Sequence, residues 1–135
     1  RRREFIKKSP EILKYKGELI QRIEYLLDGK LALVHVPWED IQAYSDQYNP
    51  SVLVLDEMRL VENVQVAVAI KTYPDGKLTG KLRTNLPVAD AVAGYFGGGG
   101  HVYAAGFRVY ESYDTVIKEL TTAVSKALEA HDEAA

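Results

Sequence analysis

The chain has 135 residues, enough for one domain that buries a single core without disulfides or structural metals. Hydrophobic residues make up 47% and charged residues 27%, and the absence of cysteine excludes disulfides and thiolate metal sites. The formal net charge of −2 argues against a general nucleic-acid coat, so any polyanion site must be local.

The ends of the chain and its apolar runs bear on its cellular context. No apolar run approaches the roughly 20 residues of a membrane span and no signal peptide is visible, so we expect a cytoplasmic protein with no membrane partner. The chain opens with three arginines, and its single methionine is Met58. Both features indicate a piece of a longer protein or a processed product. We therefore expect residues 1–8 to be a linker and residues 9–135 to be the domain.

The first part of the chain predicts helices on either side of one buried strand. Ser9-Pro10-Glu11 is a helix start, and an apolar stripe at helical spacing continues until Asp28-Gly29 stops it. A buried strand should end at Pro37. Asn49-Pro50 favours a further helix, although residues 52–55 also fit a strand. The expected bounds are helix 10–27, strand 31–36, helix 38–47 and helix 50–62.

Residues 64–84 predict an antiparallel hairpin around Pro74-Asp75-Gly76. A two-residue loop would pair Val68 with Arg83 and mix apolar and charged side chains on one face. A three-residue loop with Gly76 in the left-handed conformation pairs Val68 with Leu82 and separates the two kinds of side chain. We predict the second register, which sets Arg83 opposite Ala67, on a patch of small side chains with room for a ligand.

The last part of the chain predicts a helix over 87–95, a strand over 105–110 and an amphipathic helix from Tyr113 to about Ala130, capped near Ser112. Together with the earlier elements, this pattern predicts an α/β fold. We expect a mixed β-sheet of about five strands with helices on both faces, forming a single domain.

Between these last elements lies the run Gly97–Gly100, closed by His101. Glycines lose the most backbone freedom on folding, so such a run in a compact domain indicates a close approach to bare peptide groups. Consecutive N–H groups can form an anion-binding nest, most often for phosphate. Dense apolar flanks disfavour a flexible linker. A P-loop would need Gly-Lys-Ser/Thr, and a dinucleotide fingerprint would follow a strand, so both are rejected.

Several side chains near the run are candidate ligand contacts. His101 is favoured as a phosphate donor; a structural role remains open, and a metal-ligand role lacks partner residues. Arg83 can place a guanidinium fork over a phosphate. Thr84 faces the other side of its strand unless the strand ends there. Tyr103 is either core or a base-stacking ring. We find no nucleophile–base pair and no carboxylate cluster, so the chain shows no complete catalytic apparatus.

The block Gly97–His101, followed by Ala104-Ala105-Gly106-Phe107 and preceded by Leu82-Arg83-Thr84, resembles the C-terminal DHH-associated domain (type 1) of DHH-superfamily phosphoesterases. The resemblance extends from about Leu31 to the C-terminus and is most similar to the oligoribonuclease and pAp-phosphatase branch. RecJ-like single-strand exonucleases and cyclic-dinucleotide phosphodiesterases are relatives. Val102 departs from the proline or polar residue usual there, and Thr84 replaces a serine, which puts substrate preference in doubt.

The resemblance implies a two-lobed hydrolase. An N-terminal lobe, which this chain lacks, would hold two Mn²⁺ ions, and the present domain would clamp the phosphate of short RNA, single-stranded nucleic acid or a nucleotide. No metal or other cofactor is then expected in this chain, which should not hydrolyse anything alone. The implied substrate-binding residues are Arg83, Thr84, Gly97, Gly98, Gly99, Gly100, His101, Tyr103, Ala104, Ala105 and Gly106.

A second hypothesis also fits the residues. The chain would then be a non-catalytic interaction or dimerisation module in which the glycines serve close backbone packing. A homodimer, and the choice among nanoRNA, pAp, cyclic dinucleotide and single-stranded DNA as substrate, are left open by the sequence.

Overall fold

A computed structural model describes residues 10–44 and 50–134 of the protein. The expectations for Ser9, for the segment 1–8 and for residues 45–49 lie outside the described residues. The described part forms an α/β domain with six strands and five helices, close to the expected five strands. In chain order the elements are α1 (Pro10–Arg22), β1 (Glu24–Leu26), β2 (Leu31–Val36), α2 (Trp38–Tyr44), α3 (Pro50–Met58), β3 (Val66–Thr72), β4 (Leu78–Thr84), α4 (Ala89–Tyr95), β5 (Gly99–Gly100), β6 (Ala104–Val109) and α5 (Tyr113–Ala134).

The six strands form one mixed sheet in the order β1-β2-β3-β4-β6-β5. Strands β2 and β3 run parallel, and every other neighbouring pair is antiparallel. Apolar clusters cover both faces of the sheet, which confirms the expected arrangement of helices on both sides. One cluster lies between the sheet and helices α4 and α5, and the other between the sheet and helices α1, α2 and α3.

The first helix is shorter than the sequence predicts, and this expectation was wrong. Helix α1 ends at Arg22, and Glu24–Leu26 pairs with β2 as an edge strand. The apolar stripe changes faces of the sheet at this point. Leu19 of α1 packs in the cluster beneath α1, α2 and α3, whereas Leu26 packs in the α4/α5 cluster on the opposite face. Because one straight helix cannot serve both faces, the chain leaves the helix and forms a hairpin with β2.

The β3–β4 hairpin has the predicted three-residue loop. Val68 pairs with Leu82 and Ala67 with Arg83, and Gly76 adopts a positive φ of 92°. The Tyr73 N–H donates to the Lys77 carbonyl at 2.9 Å and closes the loop. This register decides which side chains of β4 face which cluster.

The two faces of β4 have different surroundings. Leu78 and Leu82 point into the α4/α5 cluster, so Thr79, Lys81 and Arg83 point to the other face by the two-residue alternation of a strand. The described helices on that face pack against residues of β2 and β3. Over β4 and β6 the same face is partly exposed, and we refer to this area as the open face.

Candidate phosphate-binding site

Arg83 and His101 lie in one row across the open face. Arg83 pairs with Ala104 in the β4–β6 ladder. His101 continues β5 by one residue, because it exchanges both backbone hydrogen bonds with Ala104, at 2.8 and 3.2 Å. The two residues are therefore separated by one small side chain and two strand spacings, about 10 Å between Cα atoms. The structure brings these two candidates to the same side of the sheet.

The Arg83 guanidinium is held near the strand but keeps most of its donors. Nη1 donates to the Leu82 carbonyl at 3.0 Å, and the residue is only partly buried. Within residues 10–44 and 50–134 no carboxylate forms an ion pair with it. The remaining N–H groups form the planar fork that suits bidentate binding of phosphate oxygens.

His101 is an exposed side chain on a well-anchored turn. The Tyr103 N–H donates to His101 Nδ1 at 3.3 Å. A nitrogen that accepts a hydrogen bond carries no proton, so this contact fits the neutral tautomer in which Nε2 carries the hydrogen. Nε2–H is then a donor available to an anion on the open face.

The glycine run is not the simple nest of free amides that the sequence suggests. The N–H of Gly97 donates to Gly94 at 3.0 Å, and that of Gly98 donates to Ala93 at 2.8 Å. This pair of bonds, with Gly97 at a φ of 81°, is the Schellman ending of helix α4. The His101 N–H is likewise bonded, to Ala104. Three of the five amides expected to bind anion therefore serve the fold.

The other two glycines form the edge strand β5. Gly99 pairs with Gly106 and Gly100 with Ala105. Because hydrogen-bonded and non-hydrogen-bonded pairs alternate in an antiparallel ladder, and His101–Ala104 is a hydrogen-bonded pair, Gly100 is a non-hydrogen-bonded one. Its N–H therefore points away from β6 along the open edge of the sheet. Of the glycine amides in the run, this is the one that the ladder leaves directed outward.

Thr84 and Ala105 lie away from Arg83 and His101. Thr84 is 1% exposed, and its hydroxyl donates to the Leu86 carbonyl at 2.6 Å. Val66, its partner across the hairpin, belongs to the α4/α5 cluster, so Thr84 faces that cluster. Ala105 is 6% exposed in the same cluster. The structure thus separates these two from the remaining candidates, and the reason is strand alternation.

The remaining candidates surround the Arg83–His101 row. Ala104 and Gly106 form the floor of the open face, since both are on β6 at positions facing it. Tyr103 is 42% exposed, and its ring lies 6.1 Å from the His101 ring between centroids. An exposed ring at this place is able to stack on a base.

Two further cations share the open face. Lys81 pairs with Gly106 and Thr79 pairs with Arg108, so both basic side chains face the same way as Arg83. Sequence reasoning did not single out Arg108. The signal for Arg108 lay in the two-residue alternation of β6, but it required the register between β4 and β6, which the sequence alone does not provide.

A groove runs beside these cations. It has a volume of about 440 Å³ and is lined by Thr79, Gly97, Gly98, Gly106, Phe107 and Arg108. A larger cavity of about 580 Å³ lies near the opposite edge of the sheet, around His35, Tyr113 and Arg22, and contains none of the candidate residues. The glycine turn therefore borders a groove whose lining includes Thr79, Gly106 and Arg108 of the open face.

In the described ranges, no cluster of three or more His, Cys, Asp or Glu side chains is arranged to hold a metal ion. No helix in the described part of the chain is long and apolar enough to cross a membrane.

Comparison with known proteins assigns the family. Residues 41–130 match the model of the DHHA1 domain, so the chain belongs to the DHHA1 domain family. This finding confirms the resemblance seen in the glycine–histidine–alanine block.

Two solved structures are similar in fold. An exopolyphosphatase-related protein from Bacteroides fragilis is 20% identical with a TM-score of 0.75, and the match covers 89% of this chain and 36% of that one. A pGpG-specific phosphodiesterase, PggH, from Vibrio cholerae is 15% identical with a TM-score of 0.60, covering 85% of this chain and 39% of that one. The chain thus spans well under half of either neighbour. A search of curated protein sequences found no match.

Proposed function

We propose that this domain is the phosphate-binding lobe of a DHH-type phosphoesterase that acts on short RNA or other nucleotide phosphates. The observation that supports it most directly is the shared row of Arg83 and His101 on the open face, with a glycine strand at its edge. Membership of the DHHA1 family and the likeness to two larger phosphoesterase-type proteins point the same way.

In this proposal each donor has a separate role. The Arg83 fork neutralises the phosphate and fixes its orientation, and His101 Nε2–H donates a hydrogen bond from the other end of the row. The outward N–H of Gly100 adds a backbone donor at the sheet edge. The Tyr103 ring stacks on a neighbouring base.

Hydrolysis itself is assigned to another part of the protein. The described residues hold no cluster of three or more His, Cys, Asp or Glu side chains that could hold a metal ion. In this proposal the Mn²⁺ ions implied by the resemblance lie outside this lobe. We propose that they are held by an N-terminal DHH lobe of the same protein, across a cleft from the open face. The intact protein would then act as an oligoribonuclease, exonuclease or pAp phosphatase in the cytoplasm, whereas this domain alone binds without hydrolysing.

The proposal is tested by titrating the chain with pAp at several salt concentrations. Arg83→Ala and His101→Ala should each weaken binding about 10- to 100-fold, since a hydrogen bond to a charged group is worth about 1.5–3 kcal/mol. Binding should also weaken with salt. Lys118→Ala, which removes an exposed cation from α5, is the matched control and should bind like the wild type. Unchanged affinity in Arg83→Ala would contradict the proposal.

The interaction module remains the competing hypothesis, because β5 lies at the open edge of the sheet. An open strand edge is able to pair with another chain. Sedimentation of the chain over a range of concentrations, with and without pAp, distinguishes the two. Self-association without any pAp binding would favour the module.

A further inference from the structure

We propose that the groove beside Arg108 is a second subsite, which binds the next phosphate-bearing unit of a linked nucleotide. This inference rests on the proposed function, because it takes the Arg83–His101 row as the first phosphate site. Its consequence is a preference for dinucleotides and longer single strands over mononucleotides. The residues that would set this preference are Arg108 and Lys81.

The spacing of the cations along the sheet supports a linear polyanion. The open face carries three successive rows across β4 and β6, formed by Arg83–Ala104, Lys81–Gly106 and Thr79–Arg108. Neighbouring rows are two residues apart, which is about 7 Å along a strand. Each row holds one cation, so positive charge repeats at a spacing similar to that of phosphates in an extended single strand.

The groove provides space at the far end of these rows. It has a volume of about 440 Å³, and its lining includes Gly97, Gly98, Phe107 and Arg108. Gly106 contributes no side chain to the floor, and Thr79 offers a hydroxyl. A sugar–phosphate unit can therefore lie against bare backbone while its phosphate meets the guanidinium.

Along β6, the path between the two subsites carries only small side chains. Ala104 lies in the Arg83 row and Gly106 in the next row, where Lys81 is its neighbour on β4. Gly106 also lines the groove. A ligand that follows β6 from one subsite to the other therefore crosses a methyl group and a glycine, with the Lys81 side chain beside it.

Charge on the open face favours an anion along its whole length. Lys71 lies on β3 beside Thr79, and its pKa is lowered, first by partial burial and then by the charge of Lys81. The two ammonium groups therefore repel one another across the open face. The ion pairs recorded in the described part of the chain join residues of α1, α2 and α3 and Arg59 just beyond α3, and none includes Lys81 or Arg108. Lys81 and Arg108 therefore keep their field for a ligand.

The test compares two ligands that differ by one linked nucleotide. We would measure equilibrium binding of AMP and of the 5′-phosphorylated dinucleotide pApA to the chain. The dinucleotide should bind at least 10-fold more tightly. Arg108→Ala should weaken pApA binding about 5- to 30-fold and leave AMP binding unchanged, and Lys81→Ala should act in the same direction. Each variant should also flatten the dependence of pApA affinity on salt.

Two variants serve as controls, and the outcomes are distinct. Lys118→Ala should leave both ligands unaffected, and Arg108→Lys, which keeps the charge, should restore part of the pApA affinity. If Arg83→Ala abolishes binding of both ligands while Arg108→Ala changes neither, the second subsite is wrong and the proposed function stands. If Arg83→Ala changes neither ligand, the proposed function itself fails. Circular dichroism confirms that each variant is folded.

Discussion

Neighbouring glycines in the run meet different physical constraints. Gly97 has a φ of 81°, a conformation that side chains rarely adopt, and a Cβ there would meet nothing within 4 Å. Gly98 has no such strain, but a Cβ there would collide with the Gly106 carbonyl and with Phe107. Gly94, inside helix α4, has neither restriction. Backbone conformation therefore explains the first glycine and close packing the second.

Alanine substitutions should separate these effects. Gly97→Ala should lower the free energy of unfolding by about 1–2 kcal/mol, the cost of a left-handed conformation. Gly98→Ala should be more damaging, because backbone of β6 must move. Gly94→Ala should raise stability by up to about 1 kcal/mol, since alanine is the better helix former. Urea unfolding of the three variants measures this order, and a destabilised Gly94→Ala would contradict it.

At the scale of elements, the turn after β5 is held from two sides. The Thr84 N–H at the end of β4 donates to Tyr103 at 3.0 Å, and the Ala89 N–H at the start of α4 donates to Val102 at 2.8 Å. The position of His101 thus depends on β4 and α4 as well as on its own strand. In this arrangement Thr84 lies behind the turn, and we propose that it supports the candidate site rather than contacting ligand.

Substitution of Thr84 tests that supporting role. Thr84→Val removes the buried hydroxyl that donates to Leu86 and should cost about 1 kcal/mol of stability, the usual worth of one hydrogen bond. Thr84→Ser keeps the hydroxyl and should retain most of the stability. Phosphate affinity of the folded Thr84→Val protein should stay within about threefold of the wild type. A loss as large as that of Arg83→Ala would place Thr84 in contact with ligand.

On the scale of the whole molecule, the sheet divides the apolar core into two clusters, one on each face. His35 lies on β2 at the margin of the α4/α5 cluster. Its Nε2 is 2.9 Å from the Thr72 hydroxyl, and its ring packs on Tyr113 of α5. The pKa of His35 is lowered, first by burial and then by the charge of Arg22. Nearby Asp40, Glu39 and Glu24 act in the opposite direction. The imidazole is therefore favoured in its neutral form.

This pKa shift predicts a dependence of stability on pH. The unfolded chain takes up a proton on His35 near pH 6.5, its ordinary value, whereas the folded protein does so only at lower pH. The unfolded state thus binds more protons below pH 6.5, and the free energy of unfolding should fall as the pH drops from 7.5 to 5.5. His35→Gln should have a shallower slope in the same urea titrations. An equal slope would exclude His35 as its source.

The sequence by itself determined the features that depend on neighbouring residues and on strand alternation. The β3–β4 register followed from sorting Val68 and Leu82 to one face and Arg83 to the other, and the glycine–histidine–alanine block identified the family. The C-terminal helix followed from its apolar stripe, although it continues to Ala134 rather than Ala130. Each of these signals is local, because it is carried by residues within one element or one hairpin.

Tertiary structure decided the features that depend on which elements meet. The chain leaves α1 at Arg22 because the apolar residues beyond it belong to the other face of the sheet, a change of partner that helical spacing does not encode. The start of the glycine run ends α4 through the positive φ of Gly97, whereas its end became an edge strand because β6 lies beside it. Arg108 joined Arg83 on the open face through the β4–β6 register. Contact between elements, rather than residue type alone, produces the end of α1, the edge strand β5 and the placement of Arg108.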